Sequence, residues 1–212
     1  MSAPSRVFLL SPAHCGGERA ALLFRKEAVF DLARGVRKPP GVPLGEVFSF
    51  LSGLYFRGKL AYAEAFAAPP AGLAGVYVIT PSEGLRRADE LVDLARLRGF
   101  AQVDIDAADA RYHRPLRRDT ARVAAQLGPA GEAVLLGSVA TGKYVDPLTE
   151  ALGDRLRFPA DFVGRGDMSR GGLLLRKASE GLELEYAPVA GAVRHGARPP
   201  KLPPLSRVAR GS

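Results

Sequence analysis

Residues Ala133 to Pro147 read AVLLGSVATGKYVDP. Ala133 to Leu136 is an apolar run too short for a helix, and it stops at Gly137. The small polar residues that follow lead to Asp146-Pro147, a pair that suits the N-cap and first position of a helix. A buried strand, a Gly/Ser/Thr loop and a helix form one half of a parallel crossover unit. The pattern occurs twice more. Val7 to Leu10 is followed by Ser11-Pro12-Ala13-His14-Cys15-Gly16-Gly17 and a helix from about Glu18, and Val76 to Thr80 by Pro81-Ser82-Glu83-Gly84 and a helix over Leu85 to Arg98. The expected fold is therefore α/β: a mainly parallel sheet with helices on both faces, in three layers. Ligands of such sheets bind outside the carboxyl ends of the strands, where these three loops would lie.

The rest of the chain fits around this frame. The first helix is predicted to continue to Arg37, with Leu22, Leu23, Val29, Leu32, Ala33 and Val36 at helical spacing. Lys38 to Val42 is a Pro/Gly break. Leu44 to Tyr55 and Gly58 to Ala67 read as helices rich enough in Phe and Tyr to be largely buried. Val103 to Ile105 reads as a further strand, Pro115 to Leu127 as a helix with Pro115 near its first turn, and Arg155 to Phe158 as a strand. Gly172 to Arg176 and Leu182 to Ala187 predict a terminal β-hairpin. Residues 1–190 form one α/β domain on this reading, and 191–212 a Pro-rich basic tail, expected to be disordered.

Of the formal charge of +8, five residues (Arg194, Arg198, Lys201, Arg207 and Arg210) lie in the last nineteen, which hold no acid. Without them the charge is +3, so the folded part is only mildly basic. The tail reads either as a solubilising end or as an arm for RNA, DNA or an acidic partner. A single cysteine, Cys15, leaves no disulfide framework, and with neither a secretory h-region nor an apolar run of about 18 residues the expected location is cytoplasmic, away from membranes.

Gly137 to Tyr144 comes within one residue of the phosphate-loop pattern, but Tyr144 stands where that motif needs Ser or Thr to hold Mg²⁺. Ser138, Thr141 and Lys143 are candidates to hold another anionic or polar ligand; a plain strand-to-helix connector is the competing reading. In the first loop, Ser11 is a candidate ligand contact and His14 a candidate acid or base. Cys15 is either a thiol activated at a helix start or an inert buried residue. Thr80 and Glu83 belong to the second loop. Glu83 serves either as a general base or as a first-turn acid. The segment Phe162 to Arg176, FVGRGDMSRGGLLLR, contains four glycines and predicts a loop that closes over the cleft. Arg165 and Arg170 there offer forked donors to a phosphate or carboxylate, and Asp167 is a third catalytic candidate or a partner of these arginines. His14, His113 and His195 show no metal-ligand spacing, and no cofactor is indicated.

Taken together, SPAHCGG, PLGEVFSFLSGLYFRGKLAYA, VITPSEGL, LLGSVATGKYVDPL and FPADFVGRGDMSRGGLLLR resemble an uncharacterised bacterial family of hypothetical proteins. The layout is also similar to α/β domains found with tRNA-modification enzymes of the archaeosine and deazaguanine type, and to uracil-DNA-glycosylase-like folds. The first resemblance covers nearly the whole folded part and implies no activity. The second carries over no catalytic residue, since the chain has no H-P-S-P loop. The expected function is binding of a phosphorylated or nucleotide-like ligand in a polar cleft, with or without catalysis in nucleotide or nucleic-acid metabolism. The alternative is a non-catalytic scaffold that binds nucleic acid or a protein partner.

Overall fold

The structure is a computed structural model and describes residues 4–140, 142–192, 196–197 and 199–200. From the N-terminus, β1 (Arg6–Leu10) leads through α1 (Glu18–Phe24), α2 (Asp31–Gly35) and the short β2 (Val42–Pro43) to α3 (Leu44–Ser52) and α4 (Leu54–Phe66). β3 (Val76–Thr80) and β4 (Gly84–Arg87) form a hairpin; β5 (Leu91–Val92), α5 (Leu94–Phe100) and α6 (Ala110–Leu127) follow. The remaining elements are β6 (Glu132–Leu136), α7 (Gly142–Leu152), β7 (Leu156–Pro159), α8 (Asp167–Glu180) and β8 (Tyr186–Pro188).

Six strands form one sheet in the order β4-β3-β1-β6-β7-β8. Its inner strands β3, β1, β6 and β7 are parallel, and the two edge strands are antiparallel to their neighbours. Val7 to Leu10 and Ala133 to Leu136 are fully buried, as expected of central strands covered on both faces. The chain moves from β1 one way to β3 through α4, then back across β1 to β6 through α6, and onward to β7 through α7. Right-handed crossovers in opposite directions place α4 and α6 on opposite faces. The packing agrees: α4 pairs with α8, and α6 with α7. The direction reverses between β1 and β6, so the loops leaving these two strands diverge and open a crevice at the carboxyl edge.

Several predicted elements differ. Leu85 to Arg98 is not one helix. Gly84, at φ +72°, turns the chain back as β4, and a Cβ there would lie 2.5 Å from Pro115 O and Asp119 Oδ2. The helix begins only at Leu94, where the Asp93 side chain accepts from Arg96 N–H. Val103 to Ile105 is irregular. The helix predicted from Glu18 to Arg37 is divided in two, with the Arg37 guanidinium collecting the carbonyls of Leu23, Arg25 and Ala28 at the break. α6 begins five residues before Pro115 because Asp109 caps it, accepting from Arg111 N–H at 2.8 Å. α7 starts at Gly142, ahead of the Asp146-Pro147 pair, and the Asp146 carboxylate folds back against Gly142.

The largest difference is at the glycine-rich segment. Asp167 to Glu180 is the helix α8, not a closing loop followed by a hairpin strand; of the predicted hairpin, only β8 is a strand. A Cβ on Gly58 would lie 2.5 Å from Gly171 O, and one on Gly171 would lie 2.8 Å from Tyr55 Cα. These two glycines bring the α4 and α8 backbones into contact. Gly181, left-handed at φ +64°, ends α8, with Leu182 N–H donating to Lys177 O. Within the predicted tail, Gly196 and Ala197 lie against Val163 and Gly164, while 193–195, 198 and 201–212 lie outside the described residues. Among the described residues no helix is long and apolar enough to cross a membrane.

Candidate functional site

A cavity of about 670 Å³ occupies the crevice between β1 and β6. Its walls include Ser11 to Gly16 after β1; Pro81 after β3; Ser138, Lys143 and Tyr144 after β6; the irregular stretch through Asp104 and Asp106; and Asp167 at the start of α8. Tyr55 and Lys59 of α4 form its floor.

Lys59 is the residue that sequence reasoning missed. It is 1 % exposed, and its ammonium donates to Ser11 O at 2.7 Å and to Ser11 Oγ at 2.9 Å. The ring centroids of Tyr55 and Phe56 each lie 4.6 Å from Nζ. Among the described residues no carboxylate lies within ion-pair distance of it. Burial therefore lowers its pKa to about 7, against a smaller opposing effect from Asp167. The helix expected over Gly58 to Ala67 holds Lys59 three residues before Tyr62, but the break read between Tyr55 and Gly58 separates it from Tyr55, which the single helix α4 places one turn away.

Ser11 is itself buried, at the last turn of β1 into the loop. A Cβ on Gly137 would sit 2.7 Å from Ser11 Cβ, 3.1 Å from Ser11 Oγ and 3.3 Å from the Tyr144 hydroxyl. Only glycine lets these groups converge. The Tyr144 hydroxyl accepts from Ser138 N–H at 3.1 Å and also interacts with the Ser11 side chain. Tyr144 thus turns back into the β6–α7 loop and takes up an amide that a phosphate loop would leave for its nucleotide. Lys143, in the first turn of α7, is exposed and has no ion-pair partner among the described residues. The backbone N–H groups of Ala13, His14, Cys15 and Gly16 make no hydrogen bonds within the described residues. The Tyr55 hydroxyl is buried without a partner at hydrogen-bond distance; burial raises its pKa, partly offset by the nearby Arg170 guanidinium.

Ser11, His14, Ser138, Lys143 and Asp167 are thus brought together around one cavity, while other expected site residues are not. Thr80 closes the β3–β4 turn, accepting from Glu83 N–H at 3.1 Å and donating to Gly84 O at 2.9 Å. Glu83 does not line the cavity: it pairs with Arg86 at 3.1 Å and Arg96 at 2.5 Å. Arg165 donates to Asp161 O at 3.0 Å, and Arg170 to Phe162 O at 3.1 Å, bracing the start of α8. Arg170 does not itself line the cavity but lies behind three residues that do, pairing with Asp167 at 3.5 Å and acting electrostatically on Tyr55 and Tyr144. Thr141 lies outside the described residues. Cys15 is buried, its thiol donating to Ala13 O, and burial pushes its pKa up to about 12. It is held as the thiol, contrary to the activated reading. Among the described residues no group of three or more His, Cys, Asp or Glu is placed to hold a metal.

Comparison of the chain with protein-family models, with curated proteins and with solved structures gives no match.

Proposed function

We propose that this cleft binds a phosphorylated, nucleotide-like small molecule. The observation that carries the reading is the position of the cavity at the sheet's switch point, with unbonded amides of Ala13 to Gly16 on one wall and unpaired Lys143 on the other. An anionic group between them gains amide donors and a cation that is not already neutralised. The volume of about 670 Å³ suits a mononucleotide. Asp104 and Asp106 are acceptors for hydroxyl or amino groups on the rest of the ligand. They also favour a compact ligand over a nucleic-acid strand, because three carboxylates around the cavity, Asp167 included, repel a continuous run of phosphates.

A thermal-shift panel of nucleosides, nucleotides and sugar phosphates tests this. A ligand at 100 times its dissociation constant adds about 2.7 kcal/mol, which raises the midpoint of a domain this size by roughly 5–10 °C. Phosphorylated members should shift the protein and their unphosphorylated counterparts should not. Lys143→Ala should weaken the best ligand about tenfold, or about 1.4 kcal/mol. An equal response of the wild type and Lys143→Ala to every compound would remove the basis for the assignment.

A further inference from the structure

We infer that Ser11 is a nucleophile, with Lys59 as its proton acceptor, and that the cleft carries out acyl transfer to water on a carboxylic ester or amide. The geometry is that of a serine–lysine pair: Ser11 Oγ lies 2.9 Å from Lys59 Nζ, and both line the cavity. The lysine is fixed by its second bond, to Ser11 O, and by the two aromatic faces beside it. The Tyr144 hydroxyl and Gly137 confine Oγ from the β6 side. The unbonded amides of Ala13 to Gly16 come after Pro12, two residues beyond Ser11, and line the same cavity, which makes them the nearest backbone donors in sequence for an oxyanion. With no acid paired to it, Lys59 loses its proton near neutral pH.

The step balances within these groups. Ser11 Oγ adds to the carbonyl carbon while its proton passes to neutral Lys59 Nζ. The tetrahedral intermediate collapses, the bond to the leaving oxygen or nitrogen breaks with its electron pair, and Lys59 returns the proton to that atom. Water then attacks the acyl–Ser11 ester, Lys59 accepts its proton, the acid departs, and Ser11 Oγ is reprotonated. The group that Ser11 attacks is an uncharged carbonyl and not the phosphoryl group of a bound ligand. A phosphate dianion next to Lys59 would hold the ammonium form and remove the base.

The proposal shares the cleft with the nucleotide reading but requires no phosphorylated ligand, so the two can fail separately. The test is reaction of the full chain with a fluorophosphonate probe, which forms an O–P bond to serine with loss of fluoride. Intact mass and peptide mapping should place one label on Ser11, none in Ser11→Ala, and Lys59→Met should react at least about 100-fold more slowly. The wild-type labelling rate should rise with pH through an inflection near neutrality. That profile and the mapped site decide the matter even where a variant fails to fold, as judged by its thermal transition. No labelling of the folded protein, a label elsewhere, a flat wild-type profile, or a folded Lys59→Met that reacts at the wild-type rate would each overturn the assignment. Nucleotide binding that survives such a result would leave the proposed ligand in place.

Discussion

Lys59 changes how stability depends on pH. Its folded pKa, about 7, lies below the 10.5 of an unfolded lysine, so between these values the unfolded chain holds one more proton than the folded one. Stability therefore rises with pH from about 7, by at most about 1.4 kcal/mol per unit. Cys15 acts in the opposite sense: its folded pKa is raised from 9.0 to about 12, so above pH 9 the unfolded chain loses a proton that the folded one keeps. The buried Tyr55 and Tyr112, also raised, add to this above pH 10. Urea titrations should show stability climbing between pH 7 and 9 and then levelling or falling. In Lys59→Met the climb should vanish; a slope unchanged by the substitution would mean that Lys59 is solvated. Gly137→Ala places a methyl against Ser11 and Tyr144, and should remove the Ser11 labelling while the fold, followed by circular dichroism, persists.

At the level of elements, neighbouring glycines in α8 have opposite roles. Gly171 meets the α4 backbone, whereas a Cβ on Gly172 meets nothing within 4 Å. Gly171→Ala should cost roughly 1–3 kcal/mol through overpacking. Gly172→Ala should stabilise by about 0.5–1 kcal/mol, the ordinary gain of alanine over glycine inside a helix. Chemical denaturation of the two variants checks both signs at once, and equal effects would refute the close helix contact. These residues also show what was legible. The runs Val7 to Leu10, Val76 to Thr80 and Ala133 to Leu136 declared β1, β3 and β6, because a central strand has to be apolar on both faces. The four glycines of Phe162 to Arg176 marked a close backbone approach, but local sequence does not say whether to a ligand or to another helix. Leu85 to Arg98 has helical spacing, and tertiary contacts override it: Gly84 fits against α6, and Glu83 gathers Arg86 and Arg96.

For the molecule as a whole, the strand order decides where chemistry can occur. β1 and β6 are adjacent while their following loops part, and the polar residues read as separate loops in the sequence meet there. The alternation of strands and helices led to the expectation that Ser11, His14, Ser138 and Lys143 share one edge of the sheet, whereas Asp167 was expected on a closing loop and reaches the cavity instead as the first residue of α8. The presence of Lys59 was not expected, since it depends on which face of α4 lies under the loop after β1. On the proposed function these segments act as a single binding cleft. Amide hydrogen exchange with and without the most stabilising nucleotide of the panel distinguishes one shared cleft from separate loops. Peptides covering Ser11 to Gly17, Gln102 to Asp106 and Ser138 to Val145 should become protected together, while those from α2 and the segment after Val189 should not change. Protection confined to the segment after Val189, or in only one of the three loops, would contradict a shared cleft.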